Sequence, residues 1–574
     1  MFNNGSAAIP ARISAWLRRY GLIIIVYVVT MAVSGAREMG DTEDFVRQIR
    51  QHAMGHSEYF WEFGHLFWRS FGYALFWLGG PLIRLVVGED PVDGVRFSLT
   101  ALSWLAGLTC VLFLHGMAVR VSARAWAAYL ATITFIITQV FLNYTHTGGS
   151  YLSGMSLLMA CFYFLSRPEA AGGGSTLGWL WGGLALAGSL SLWFPYLLAV
   201  PAALLSPFIW FGVDRQRLRL VLRTAVVFSL ATGALFLIGA FNAGVRHITG
   251  LRQWAAESSH GIVGVNGAPR MVFGMARSLI NMGNDGVLYK RFLLHDPFNP
   301  VSFSDLFRAS LYKLGLFYLF LTLLLLNLLR TAEGRRIFYF WMLSAAPALG
   351  FAIYWQGGDM ERYLTLYPAT FVGLAYLFGA KRAWKAFQCV AVVFLAVMSY
   401  ANLTTMTIPA LERSQEAVVA RIANMSAEAK PKSVLVTPYF QDELVNFVRT
   451  YPSHPIIRDA TWHLNDLFSP GKLESIQWRR RFAVVALSTW QDGGEVWLAK
   501  RALAGRPKPE WIWAEGDDRN ISWTDFPKFF SQIEMGWSVG NEDGFVQVQR
   551  SAANERFLQS LNAGADPVPV ESNR

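Results

Sequence analysis

Ser70 to Ile83, "SFGYALFWLGGPLI", runs for 14 residues without a charge between Arg69 and Arg84. Whether it crosses a membrane decides the sidedness of everything after it. A spanning helix needs about 20 apolar residues, so a run this short fits an interfacial or re-entrant segment. The basic residues arbitrate, because counting the run as a span would invert every later loop. With it left out, sixteen basic residues gather on one side: Arg12, Arg18, Arg19, Arg120, Arg124, Arg167, Arg215, Arg217, Arg219, Arg223, Arg330, Arg335, Arg336, Lys381, Arg382 and Lys385. The short loops opposite, around "LNYTHTGGS", "LWFP" and "QGGDMER", contain one, Arg362. That asymmetry makes Ser70 to Ile83 a membrane-hugging helix on the outer face.

Working outward from it, about eleven spans are predicted: Tyr20 to Ala36, Phe97 to Ala118, Ala125 to Phe141, Tyr151 to Leu165, Leu177 to Ser191, Tyr196 to Gly212, Ala225 to Asn242, Leu314 to Leu329, Ile337 to Tyr354, Tyr363 to Ala380 and Ala386 to Leu403. The composition agrees, with 53% hydrophobic and 16% charged residues over 574 positions, where a soluble chain carries about a quarter charged. The 22 Trp and 20 Tyr suit membrane interfaces, where an apolar ring with a polar tip fits both phases. The net charge of +11 is scattered between apolar runs and forms no basic domain, so membrane orientation explains it and nucleic acid does not. Cys110, Cys161 and Cys389 all fall inside apolar runs without metal-ligand spacing, which indicates neither a disulfide framework nor a zinc site. The basic start and "AVSGA" resemble a signal peptide, but the first run serves equally as an anchor.

The expected fold is therefore a mainly α-helical polytopic domain over residues 1–406, with a first outer loop at 37–96 and a second at 245–310. An extracytoplasmic α/β domain follows at 407–574. In the latter, "KSVLVTPYF", "RRFAVVALSTW" and "GFVQVQR" have strand length, and "LERSQEAVVARIANMSAEAK" has helical patterning. "EAAGGGST" reads as a flexible linker and "NAGADPVPVESNR" as a frayed tail. The N-terminus is placed in the cytoplasm and the C-terminal domain outside.

Candidate chemistry gathers at the outer edge. "GDTEDF", Gly40 to Phe45, places Asp41 a few residues beyond the first span, at headgroup level, where a carboxylate avoids the cost of the bilayer centre and can take a proton from an acceptor. Glu43 and Asp44 suit the first turn of a surface helix; Glu43 is also carried as a candidate substrate contact. The loop continues with His52, His56, Glu58, Glu62, His65 and Arg69 among aromatics. His52 and His56 share a helical face, so a divalent metal is considered. Arg362 opens "RYLTLYPATFVGLAYLFGA" beside Tyr363, and its guanidinium can hold a phosphate bidentately or pair with Asp359 or Glu361. Arg270, Arg277, Lys290 and Arg291 suit an anionic headgroup, and His146 in "NYTHTGGSY" marks another outer loop.

The acidic residue in "GDTED", the long aromatic first loop with its non-crossing helix in "FGHLFWRSFGYALFWL", the start "GVRFSLTALSW" of the next span and the later "ERY" together resemble the GT-C superfamily of lipid-phosphosugar-dependent glycosyltransferases. That superfamily includes protein O-mannosyltransferases and aminoarabinose transferases of lipid A. The chain departs from it in that His65 is not followed by prolines and "NYTHTGGSY" has no acidic residue. The resemblance implies transfer of a sugar from a polyprenyl-phosphate donor to a glycolipid, glycan or protein acceptor at the outer face of a bacterial inner membrane. It implies Asp41 as general base and Arg362 as phosphate ligand, with His65 in the first-loop segment. The alternative is a polytopic lipid or sugar transporter, which would place ionisable residues near the midplane.

Overall fold

The computed structural model describes residues 8–57, 59–167, 177–258, 267–283, 287–293, 295, 300–380, 383–437, 443–452, 454–467, 475–504, 525–540 and 544–562. Glu58, the "EAAGGGST" linker, Lys381, Arg382 and the tail beyond Asn562 lie outside the described residues. The chain divides into two compact units, residues 1–282 with 310–411, and residues 283–309 with 412–574. Part of the second outer loop thus groups with the C-terminal residues.

Eight described helices are long and apolar enough to cross a membrane, or nine if a bent pair counts as one span, which makes the chain a multi-pass membrane protein. The expected eleven differ because the central helices are short. Tyr151–Leu165 and Gly178–Leu192 have 15 residues each and Tyr367–Gly379 has 13. At 1.5 Å per residue they measure only about 20 to 23 Å, against roughly 30 Å of hydrocarbon. Tyr151–Leu165 and Tyr367–Gly379 are almost wholly buried in protein, where loops at membrane depth are tolerated, while Gly178–Leu192 buries one face and exposes Trp181 and Leu184. The Ala125–Ile136 and Gln139–Thr145 helices meet at a 62° bend.

The short helices begin or end at one shared level. Leu152 lies beside Cys110, whose thiol meets its carbonyl at 3.7 Å, 19 residues into the 31-residue Pro91–Val121 helix. The first turns of that long helix therefore stand outside the level where Tyr151–Leu165 starts. Onto this protruding part pack the Thr42–Ala53 and Trp68–Val87 helices, in an apolar cluster that includes Phe45, Ile49, Trp68, Val95 and Leu99. Gly72 sits against Leu99, and Gly94 against Phe76 and Ile83, at distances where a Cβ would collide. The segment expected as 14 apolar residues is in fact a 20-residue helix, Trp68–Val87, and by length and composition alone it ranks among the eight. It packs on the first turns of the Pro91–Val121 helix.

Polar staples tie the bundle together. Asn402, fully buried on the Lys385–Met406 helix, accepts from the Asn281 N–H at 2.7 Å and donates to the carbonyls of Ile137 and Leu279 at 2.8 and 2.7 Å. One amide thus closes the ends of two other helices.

In the second unit five strands run in the order β2-β1-β3-β5-β4: β1 Ser433–Thr437, β2 Trp462–Asp466, β3 Val496–Ala499, β4 Met535–Val539 and β5 Phe545–Val548. β1 pairs in parallel with β2 and β3, and β5 pairs antiparallel with β3 and β4. Every residue of β1 is buried, as expected of a central strand covered on both faces. Val434 and Val436 face one core with Trp478, Phe482 and Phe530, and Leu435 faces another with Val418, Ile422 and Phe447. "RRFAVVALSTW", expected as a strand, belongs to the Ser475–Gln491 helix. Its buried Phe482, Ala483, Ala486 and Trp490 recur at the helical period, and that face outweighs the β-branched pair Val484 and Val485.

Asn402→Leu strands one buried N–H and two carbonyls, each worth about 1 to 3 kcal/mol when left unpaired. The purified variant is expected to melt several degrees lower; an unchanged melting curve would contradict the staple.

Candidate functional site at the outer recess

The chain leaves the first span under tight control. Asn143 accepts from the N–H groups of Arg37 and Glu38, both at 2.9 Å, and donates to the Glu38 carbonyl at 2.8 Å. Two residues on, Gly40 turns the backbone through φ +54°, a conformation glycine adopts without cost. Thr42 then accepts from the Gly148 N–H at 3.0 Å. Asp41 stands at the N-cap of the Thr42–Ala53 helix but makes no side-chain capping bond. A capping aspartate ordinarily accepts from the first turn; here Oδ2 accepts from the Tyr151 hydroxyl at 2.6 Å. The exposed carboxylate is aimed away from its own helix.

On the opposite wall, Arg362 lies in the 3₁₀ turn Met360–Leu366. Its guanidinium is surrounded by Trp193, Phe351 and Trp355, with ring centroids 5.8, 5.6 and 5.5 Å from Cζ, within the range of cation–π attraction. It donates to Gln356 at 3.0 Å. Asp359 and Glu361 approach only to 3.7 and 3.8 Å, too far for hydrogen bonds, and Nε is buried without a hydrogen-bond partner. Such an N–H in a low-dielectric wall is costly unless something accepts it. Glu361 accepts from Tyr144 at 2.5 Å.

Two aromatic side chains span the gap. Tyr151 packs on Tyr144 at 4.7 Å and, edge-on, on Trp193 at 5.3 Å. Asp41, Tyr151, Trp193 and Arg362 therefore form one contiguous path between a carboxylate and a guanidinium that are 321 positions apart in sequence. Arg277 reinforces the rim, pairing with Glu38 and donating to the Gly358 carbonyl at 3.2 Å.

The expected substrate contacts divide. His65 belongs to the recess: Nδ1 bonds the Ser150 hydroxyl at 2.7 Å and the ring stands 6.0 Å from Tyr151. Burial pulls its pKa below the usual histidine value, against the carboxylates of Glu62 and Asp41, so at neutral pH it is an uncharged imidazole. Glu43 instead grips Arg96 through both oxygens at 2.7 and 2.9 Å, joining two outer-layer helices. Tyr363 points inward, its hydroxyl donating to the Gly357 carbonyl at 2.5 Å with 1% of the residue exposed, which makes it scaffold. His146 bonds Ser34 at 2.9 Å through Nε2 and accepts from Trp104 at 3.3 Å through Nδ1, so both ring nitrogens are spent on structure; burial pulls its pKa to about 4. His52 bonds Ser57 and stacks on Phe60. Among the described residues no group of three His, Cys, Asp or Glu side chains is placed to hold a metal ion, and no step is derived through one. Of the four outer-segment cations, Arg277 is at the rim, Arg270 is exposed, Arg291 lies in the second unit and the Lys290 side chain is outside the described residues.

Tyr144, Tyr151, Trp193 and Glu361 have no place in the sequence-based set. In a chain with 22 Trp and 20 Tyr no single aromatic stands out. The usable signal was the position of Tyr144 and Tyr151 on either side of "THTGGS", an outer loop between apolar runs.

No protein-family profile matches the chain, and neither does any curated protein sequence. Among solved structures it is similar to ArnT from Cupriavidus metallidurans bound to undecaprenyl phosphate, at 12% identity over 94% of this chain and 98% of that one, with a TM-score of 0.45. It is also similar to the oligosaccharyltransferase AglB from Archaeoglobus fulgidus in complex with an inhibitory peptide and a dolichol-phosphate, at 11% identity over 93% and 74%, TM-score 0.43. A third is the arabinofuranosyltransferase AftD from Mycobacteria, at 12% identity over 93% and 42%, TM-score 0.37. Likeness at this level assigns neither an activity nor a residue.

Burial and the Glu361 carboxylate push the Asp359 carboxyl up to about 7, against the pull of Arg362. A folded-state value above the unfolded one means that its contribution to stability is full in acid and is lost as pH rises through about 7. Ionisation of Asp359 as pH rises thus adds a negative charge beside Arg362. Affinity for inorganic pyrophosphate is expected to fall from about pH 6 to about pH 8, and Asp359→Asn to flatten that fall; calorimetric titration at several pH values checks it, and an unaltered slope in the variant contradicts it. Glu43→Gln is expected to cost about 1 kcal/mol of stability without changing pyrophosphate affinity, which melting and titration of one preparation decide.

Proposed function

We propose that the protein is a GT-C-type integral membrane glycosyltransferase that moves a sugar from a polyprenyl-phosphate donor to an acceptor hydroxyl or amine at the outer face of a bacterial inner membrane. The observation that carries this reading is the convergence of Asp41 and Arg362 on the two sides of the Tyr151–Trp193 pair. The phosphate is already a competent leaving group, so the site has to supply a base for the acceptor and a cation for the departing charge.

In the proposed step Asp41 takes the proton from the acceptor, whose oxygen or nitrogen attacks the anomeric carbon. The bond from that carbon to the phosphate oxygen breaks, and the electron pair leaves with the polyprenyl phosphate. Tyr151 occupies Oδ2 of Asp41, which leaves Oδ1 to receive the proton. Arg362, with an unpartnered Nε, holds the phosphate. Displacement by a single carboxylate base in this manner inverts the anomeric centre, in contrast to the two-carboxylate retaining route. The neutral His65 adds no charge beside Asp41 and can accept or donate at Nε2. In this topology the recess opens outward, with the N-terminus cytoplasmic and the second unit periplasmic. A transporter is disfavoured by the nearly charge-free spans, since transport sites place ionisable residues near the midplane.

A strain lacking the protein is expected to accumulate a polyprenyl-phosphate sugar, identified by mass spectrometry of extracted lipids. The purified protein is expected to consume that lipid in the presence of the strain's membrane acceptors. Asp41→Asn is expected to lower transfer by about a thousandfold or more with folding intact, as removal of an essential general base does, and Arg362→Ala to weaken binding of undecaprenyl phosphate by about tenfold or more. Transfer at the wild-type rate by Asp41→Asn would refute the assignment of the base.

A further inference from the structure

We propose that Tyr151 is the positioning residue of this site, fixing both the direction of the Asp41 carboxylate and its spacing from the Arg362 guanidinium. The inference rests on the reading of Asp41 as base and Arg362 as phosphate ligand, and it gives Tyr151 a positioning role that the reading itself does not require.

Three features hold Tyr151 in place. Its backbone carbonyl accepts from the Tyr196 hydroxyl at 2.7 Å, and the side chain of its neighbour Ser150 is tied to His65. Gly149 lets the ring fold back along the chain, since a Cβ there would stand 2.8 Å from Tyr151 Cδ2. The ring is walled in by Tyr144 at 4.7 Å, Trp193 at 5.3 Å and His65 at 6.0 Å, with only 6% of the residue exposed. A side chain so confined cannot change rotamer without displacing its neighbours.

What it holds is the reactive carboxylate. A phenol is a donor at neutral pH, and its O–H meets Oδ2 at 2.6 Å, the short distance of a hydrogen bond to an ionised acceptor. Asp41 sits at a helix start and has no capping bond to fix its side chain, so this bond sets the direction of its other oxygen. Through Trp193, packed on both Tyr151 and Arg362, the Tyr151 ring stands between the two charged groups as part of an aromatic wall. Small errors in such a spacing are costly in rate, because reactive geometry is held to fractions of an ångström.

Tyr151→Phe removes the hydroxyl and keeps the wall. With the lipid from the deletion strain as donor, it is expected to lower kcat by about 10- to 100-fold. It is also expected to move the acid limb of the pH–rate profile to higher pH, since loss of a donor to a carboxylate favours its protonated form. Binding of undecaprenyl phosphate in lipid nanodiscs should stay within about twofold of wild type, whereas Tyr151→Leu, which removes the wall, should weaken it. In an Asp41→Asn background Tyr151→Phe should have no further effect on rate. Wild-type kcat and an unmoved acid limb in Tyr151→Phe would overturn the proposal, as would an undecaprenyl phosphate affinity that falls in parallel with kcat, the mark of a merely structural role. Failure of the base assignment shows separately, as transfer by Asp41→Asn alone.

Discussion

The site depends on the way five consecutive residues, Thr147 to Tyr151, are hydrogen-bonded in several directions at once. The Gly148 N–H donates to Thr42, and the Gly148 carbonyl accepts from the Trp68 indole at 2.6 Å. Ser150 meets His65, and Tyr151 meets Asp41. A short buried segment thus sets the start of the Thr42–Ala53 helix, the start of the Trp68–Val87 helix and the Asp41 carboxylate together. It can approach so closely because Gly148 has no side chain: a Cβ there would lie 2.8 Å from both Leu99 and Thr42. Buried backbone of this kind has to find partners, and here each partner belongs to an element of the outer recess.

The recess itself follows from helix length. Tyr151–Leu165, Gly178–Leu192 and Tyr367–Gly379 are too short to span by themselves, and at their outer ends stand Tyr151, Trp193 and, in the turn before the third, Arg362. Arg362 is thereby set in a wall of protein, mostly buried, where fields are strong. The aromatic cage and loosely placed carboxylates leave Arg362 partly neutralised and able to accept a stronger anion. The same logic explains Glu62 and Arg69, a fully buried ion pair that would be costly unpaired and that fixes the outer helix layer beneath which His65 lies.

Much of this was legible in sequence, for identifiable reasons. Long apolar runs report membrane helices because hydrocarbon penalises charge strongly, so the helical bundle could be read directly. Glu43 could not be separated from Asp41 by local pattern, since its fate was decided by Arg96, 53 residues away. Tyr363 and His146 carried polar tips in predicted loops and looked available, but the Gly357 carbonyl had claimed the Tyr363 hydroxyl, and the Ser34 hydroxyl and the Trp104 indole the His146 ring. Tyr144 and Tyr151 were hidden for the opposite reason: among many aromatics, only tertiary contact shows which hydroxyl meets a carboxylate. The "RRFAVVALSTW" helix was misread as a strand because its β-branched centre masks a helical spacing of buried Phe482, Ala486 and Trp490.

The central claim is that one polyprenyl phosphate sits between the Arg362 guanidinium and the Asp41 carboxylate. The most direct test is a cryo-EM structure of the protein in lipid nanodiscs with undecaprenyl phosphate. The account predicts a phosphate oxygen within hydrogen-bond distance of Arg362 Nε, at about 3 Å, with the Tyr151–Asp41 bond intact. A phosphate bound elsewhere, with Arg362 still enclosed by Trp193, Phe351 and Trp355 and its Nε unpartnered, would contradict it.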